Sequence, residues 1–236
     1  MKVIIHRANT RGYFDHEWLK TFHTFSFAGY FNPDRRGFGQ LRVLNDDIIE
    51  PSEGFGIHPH DNMEIVTIPL EGALEHKDSM GHIEVLKPDE IQIMSAGSGI
   101  THSEYNASKS APVSLLQIWI YPKEKNIKPR YDQRIFDKDG RKNKIQLLVS
   151  PDKSNHTLWI NQDAYFSRCS LDANKEIAYK LNKSGNGVYI FLISGNINIE
   201  RDELNSRDGI GIWEAEEIKI FSESSSEILL IETPMR

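Results

Sequence analysis

The chain is poor in cysteine, in long apolar runs, in helix signals and in positive charge. Cys169 is the only cysteine among 236 residues, so no intrachain disulfide can form. The ordinary fate of such a residue is a small buried hydrophobe. No stretch approaches the roughly 20 apolar residues of a membrane span. The apolar run after Met1 and Lys2 is too short for a signal peptide. These absences together predict a cytoplasmic protein without a membrane role. The formal charge is −6 at pH 7, from 28 Lys and Arg against 34 Asp and Glu. Such a surface has no basic footprint, which argues against direct binding to nucleic acid but not against a protein partner. The clearest helix signal is Asp15–Lys20, with Asp15 as its N-cap.

What is present is a series of short apolar runs rich in Val, Ile and Phe, separated by turn residues. They include 64–70, 91–94, 113–121, 188–193 and 228–231. Their spacing predicts an all-β sandwich or barrel with few short helices. Residues 122–142 are polar and charged and are expected to connect two halves. The halves look alike. Glu64–Gly72 matches Gly187–Gly195 at an offset of 123, and Asp89–Met94 matches Glu216–Phe221 at an offset of 127. Two tandem β-barrels explain this most simply. The expected division is residues 1–121, a connection at 122–142, and residues 143–236.

Two histidine clusters carry the chemistry. His58-Pro59-His60 and His102-Ser103-Glu104 each place two metal-capable side chains at i and i+2. On a β-strand these point the same way. Two such strands facing each other would bring three imidazoles and one carboxylate to one point. This nitrogen and oxygen set without thiolate suits a divalent transition metal: Fe(II), Mn, Co, Ni, Cu or Zn. It does not suit a closed structural zinc site. Carried by the two offsets, the four positions fall on Leu181, Lys183, Leu229 and Ile231 in the second half. One metal per chain is therefore expected, in the first half.

The segments His58-Pro59-His60, Glu64, Gly72 and then Gly99, His102, Asn106 match the two cupin motifs. Glu104, two residues beyond the second histidine, is an addition to them. With Phe22–Phe31, Gly54-Phe55, His76–Ser79, Gly81-His82 and Ser95–Ile100, the sequence resembles the pirin family of bicupins, densely over residues 5–121. The resemblance implies two tandem cupin jelly-roll barrels. It implies metal ligation by His58, His60, His102 and Glu104, and Fe(II) as the metal. For Glu64 the residue pattern allows either a ligand, as in many cupins, or a group behind the ligands that orients a histidine. The pirin resemblance favours the second.

The resemblance also implies two alternative activities. One is a quercetin 2,3-dioxygenase-like enzyme that opens the heterocycle of a flavonol-like substrate with O2, with Glu104 as candidate base. The other is a non-catalytic, iron-binding redox sensor and transcriptional co-regulator that acts through protein partners. A monomer is expected in either case. Phe25, Phe27, Met94, Gln117 and Trp119 are candidates for the pocket lining, although core packing is the commoner fate of such phenylalanines. His23, His76 and His82 lack paired spacing and read as structural.

Overall fold

The computed structural model describes residues 1–153 and 156–236. The described residues form 22 strands and two single-turn 3-10 helices, Ala8–Thr10 and Lys138–Gly140. In chain order the strands of the first half are β1 (Lys2–His6), β2 (Gly12–Asp15), β3 (Leu19–His23), β4 (Leu41–Ile49), β5 (Gly54–His60), β6 (Glu64–Glu71), β7 (Leu74–Asp78), β8 (Ile83–Leu86), β9 (Glu90–Ser95), β10 (Ile100–Asn106), β11 (Val113–Ile120) and β12 (Arg130–Ile135). Those of the second are β13 (Gln146–Ser150), β14 (Leu158–Trp159), β15 (Tyr165–Leu171), β16 (Lys175–Lys180), β17 (Asn186–Ser194), β18 (Asn196–Ile199), β19 (Asp202–Asn205), β20 (Gly209–Trp213), β21 (Glu217–Ser222) and β22 (Ser226–Pro234).

Each half is a barrel-like sandwich of a large and a small sheet. The first pairs β12-β9-β6-β11-β4-β3-β2 with β5-β10-β7-β8. The second pairs β1-β20-β17-β22-β15-β13-β14 with β16-β21-β18-β19. Closed double sheets of this kind are one solution to the edge-strand problem.

Three segments lie elsewhere than the sequence suggests. Strand β1 belongs to the second barrel, where it pairs with β20. Residues 130–135, expected within the connection, form β12 on the edge of the first barrel's large sheet. Charges at an edge are compatible with pairing, because one side stays open to solvent. The helix expected at Asp15–Lys20 is a hairpin turn between β2 and β3. Its apparent cap is real chemistry in another setting: the Asp15 carboxylate accepts from the Glu17 amide, and Glu17 takes φ 68°. Asx turns and helix caps share that hydrogen bond.

The largest core lies between the barrels. It joins Leu44, Val66, Ile68, Ile93, Leu116 and Ile118 to Phe166, Tyr189, Phe191, Leu229 and Ile231. Both faces of the large sheets are thus buried, which explains their near-continuous apolar runs. Cys169 is fully buried in the second barrel's interior core, and burial raises its thiol pKa to about 11.

A charged latch also crosses the interface. Asp46 accepts from Arg11 at 3.1 Å and from Arg207 at 3.0 Å, and the Arg11 guanidinium lies 4.8 Å from the Phe22 ring centre. Asp46 and Arg11 are almost wholly buried. Removing one partner of a buried pair strands the other charge and costs about 3–5 kcal/mol. Asp46→Ala is therefore expected to lower stability by about 3 kcal/mol, read as a fall in the urea midpoint. An unchanged midpoint would show that the latch is energetically idle.

Candidate metal centre

The two barrels fill their interiors differently. The second is packed by one continuous apolar cluster from Cys169 through Val188, Ile190, Ile197, Ile210 and Ile220 to Leu230. The first has two smaller clusters, one around Leu74, Leu86 and Leu115 and one around Ile65, Met94 and Ile100. Between them runs a belt of polar side chains. His58, His60, His102, Glu104, Gln117 and Thr67 belong to it.

Strand register builds the belt. In the small sheet His102 on β10 stands opposite His58 on β5, and Ile100 opposite His60. The register then shifts, so that Glu104 faces Phe55. One extra residue on β5 makes a β-bulge, a device that re-aims side chains beside functional sites. Both His102 and Glu104 remain on the buried face, each 2% exposed. His58 and His60 are only partly buried. The ring centres of His58, His60 and His102 are 4.4–4.9 Å apart.

The ligand-capable atoms of His58, His60 and His102 all lie within 4.8 Å of one another. A second group under the same limit contains His76, His102 and Glu104. His102 is shared, and Glu104 lies on its inner side. The His58 Nδ1 is 2.7 Å from the Gly56 carbonyl, to which it can only donate, so its Nε2 keeps a free lone pair. Glu104 accepts from Gln117 Nε2 at 2.9 Å through Oε2, and Thr67 donates to Gln117 Oε1 at 3.0 Å. Among His58, His60, His102 and Glu104, two buried atoms have no protein partner: His102 Nε2 and Glu104 Oε1. A buried polar atom left unpaired is costly, and a divalent cation is the partner that three imidazoles and a carboxylate fit.

Burial sets the proton chemistry of the metal-free site. It lowers His60 to about 4 and His102 to about 2, helped in both cases by the neighbouring histidines. Both rings are therefore neutral and ready to ligate at pH 7. Burial raises Glu104 to about 7, against the opposing hydrogen bond from Gln117. Asp47, buried beside Thr21, also rises to about 7.

Glu64 does not join the cluster and does not orient a histidine. It accepts from Ser95 Oγ at 2.8 Å and from the Asn161 amide of the second barrel at 3.2 Å. The chain turns at Asn62, with φ 46°, and passes from the small sheet to the large one. Strand parity does not carry through such a turn, and Glu64 shares the outward face of Val66 and Ile68. Of the phenylalanine pair, Phe25 is inter-barrel core against Tyr189. Phe27 meets the Trp119 ring edge-on at 5.2 Å, and Trp119 meets His60 at 4.9 Å. Met94 is fully buried in the cluster that backs Trp119. Gln117 touches the carboxylate itself.

The internal comparison also changes. Strand order makes β20 the counterpart of β9, and β21 the counterpart of β10. Glu217–Ser222 is thus not the repeat of Glu90–Ser95. In the second barrel Ile220 faces Ile177 and Ile218 faces Tyr179. The turn glycines Gly72 and Gly195, and the matching bonds from the Ala107 amide to the Ala73 carbonyl and from the Glu223 amide to the Asn196 carbonyl, set Ser222 at the place of Asn106, so the counterparts of His58, His60, His102 and Glu104 are Tyr179, Leu181, Ile218 and Ile220. Leu229 and Ile231 lie in the inter-barrel core and do not point into the barrel. Both groups able to hold a metal among the described residues are in the first barrel.

His76, which reads as structural from the sequence, lies against the cluster. It is fully buried, and its Nδ1 lies 3.5 Å from His102 Nδ1. The available signal was parity: His76 and Asp78 are polar at i and i+2 on one strand.

Fold and site together define a double-barrel cupin protein with a histidine-rich centre in its first barrel. The chain belongs to the pirin family. The Pirin profile matches residues 5–120, and a profile described as the quercetinase C-terminal cupin domain matches 147–233. The chain is 44% identical over 232 residues to quercetin 2,3-dioxygenase of Escherichia coli K12, covering 98% of this chain and 99% of the relative. It is 38% identical to a pirin-like protein of Caulobacter vibrioides, over 92% of this chain and 94% of that one. Among solved structures, the bacterial pirin YhhW of Escherichia coli in complex with nickel(II) matches with a TM-score of 0.93 and 43% identity, covering 99% of both chains.

With Glu104 among the ligands, its raised carboxyl would make metal affinity pH-dependent. Below about pH 7 its carboxyl holds a proton that a cation must displace. Affinity is expected to fall by up to about tenfold per unit as pH drops from 7 toward 5. Chelator competition with Ni(II) measures this. Glu104→Gln should bind more weakly and lose that slope, and a wild-type curve flat through this window would remove Glu104 from the ligand set.

Proposed function

We propose that this chain is a cytoplasmic, metal-dependent dioxygenase that acts as a monomer on a flavonol-like aromatic and opens its heterocycle with O2. The ligands in this reading are His58, His60, His102 and Glu104, around one divalent metal. Fe(II) is the first choice from the family resemblance, and nickel is favoured by the complex of the related YhhW. The observation that carries the reading is the pair of orphaned buried atoms, His102 Nε2 and Glu104 Oε1, beside two half-buried imidazoles. The quercetin dioxygenase names of the relatives give the substrate class.

When bound, the metal supplies Lewis-acid polarisation and a template for substrate and oxygen. The protein supplies the rest. His58 and His60 form the less buried side, the side open to an incoming ring system. Trp119 and Phe27 stand beside His60 and offer aromatic edges to a planar substrate. Glu104 Oε1 takes the proton of the substrate hydroxyl, while Gln117 holds Oε2 still.

The test is turnover of quercetin under O2 with protein loaded separately with Fe(II), Mn(II), Co(II), Ni(II) and Cu(II), following oxygen uptake and loss of the flavonol absorbance. Turnover with at least one metal is expected, and Glu104→Gln should lower kcat about 100-fold or more, the scale of general-base catalysis. Absence of turnover with every metal would sink the enzyme reading and favour a metal-responsive binding module.

A further inference from the structure

We propose that His76, Asp78 and His82 form a hydrogen-bonded string that orients His102 and sets its strength as a metal ligand. The proposal rests on the reading of His102 as a ligand, and not on the identity of the substrate. His76 stands across from Glu104, and Asp78 across from His102, in the β7–β10 register. His102 and His76 approach through their Nδ1 atoms at 3.5 Å. The His76 Nε2 is 3.3 Å from Asp78 Oδ2. The His82 Nδ1 is 2.9 Å from the same oxygen.

Tautomers give the string a direction. The free lone pair of His102 is on Nε2, the atom without a protein partner. A neutral ring that ligates through Nε2 carries its proton on Nδ1. That proton points at His76 Nδ1, which must accept it. The proton of His76 is then on Nε2 and is donated to Asp78. Both ring nitrogens of His76 are thereby engaged, and neither has a lone pair left for a cation. This separates the two roles open to His76 in its group with His102 and Glu104: it supports a ligand and is not one. Ligating histidines are commonly held in this way by a carboxylate or carbonyl, which fixes the ring and raises its basicity.

The string is itself anchored. Asp78 is fully buried as a side chain and also accepts from the backbone amides of Met80 and His82. The Tyr131 ring, from β12, stacks on His76 at 4.7 Å and on His82 at 4.9 Å. The second barrel serves as an internal control. There Ile197 is the counterpart of Leu74, each two residues past the turn glycine, and Ile199 is that of His76. Ile199 is buried in the apolar cluster. The fold packs an isoleucine at the His76 position where the neighbouring strand carries Ile218 and Ile220 in place of His102 and Glu104.

The test uses Cu(II) as probe on the full chain, with chelator competition for affinity and electron paramagnetic resonance for the coordinated nitrogens. His76→Leu is expected to weaken Cu(II) binding 10- to 100-fold and to shift the copper hyperfine coupling. His76→Gln should restore most of both, because its carbonyl can accept from His102 while its amide donates to Asp78. The number of coupled nitrogens should stay the same in every variant. Asp78→Asn, nearly isosteric, should weaken binding to a smaller degree, and it carries the test if His76→Leu does not fold. Wild-type affinity and spectrum in both His76→Leu and Asp78→Asn would overturn the proposal. Loss of one coupled nitrogen in His76→Gln would also overturn it, by making His76 a ligand. A wild-type protein that binds no Cu(II) would overturn the metal centre itself, whereas a protein that binds it and turns over no quercetin leaves the string standing.

Discussion

The first barrel buries lone pairs that its own side chains cannot satisfy, and much of the molecule is arranged around that fact. Imidazoles and carboxylates placed inside a barrel cost stability unless each polar atom has a partner. Gly56, Gln117 and Thr67 satisfy some of them through protein hydrogen bonds. His102 Nε2 and Glu104 Oε1 remain for a cation. The polar belt also divides the barrel's apolar interior into two small clusters. A barrel hollowed in this way needs support from elsewhere.

That support comes from the second barrel. Its interior is one apolar cluster, and Tyr179, Leu181, Ile218 and Ile220 stand where the first barrel has its three clustered histidines and Glu104. The shared core between the large sheets gives the first barrel a hydrophobic face that its interior does not supply. The polar links across the interface follow the same logic. Glu64 accepts from Asn161, and Asp46 accepts from Arg11 and Arg207. The exchange of β1 into the second barrel ties the two further. The duplicated fold thus divides two tasks that conflict within one interior, dense apolar packing and a buried cluster of imidazoles and carboxylate.

The all-β architecture was legible because strand length and turn spacing are local properties. The three histidines were legible for a related reason: i and i+2 parity holds within a strand, and His58, His60, His102 and Glu104 never leave theirs. Glu64 was misplaced because parity was carried through the turn at Asn62, where the chain changes sheets. The repeat was aligned by matching apolar patterns, and Glu217–Ser222 looks like Glu90–Ser95 although it occupies the place of Ile100–Asn106. Two-residue alternation is common to every half-buried strand, so it cannot by itself tell one strand from its neighbour. Phe25 and Phe27 lie outside regular strands, and no periodicity assigns one to the core and the other to Trp119. His76 reads as structural from the sequence because its partner, His102, comes from a strand 26 residues further along.

Exposure around the centre is graded, and the gradient has chemical meaning. His102 and Glu104 are almost wholly buried, while His58 and His60 are partly open. The buried pair is held from behind by Gln117 and His76, so its geometry is fixed before anything binds. Preorganised groups avoid the cost of rearrangement in the reaction. The open pair faces the side from which a ligand must come, with Trp119 and Phe27 at its edge. The ligand set alone would take copper or zinc before iron by affinity. Selection among metals therefore falls to geometry and to the hydrogen bonds behind each ligand. In this fold those hydrogen bonds are concentrated on the buried side, on the one histidine and the one carboxylate that solvent does not reach.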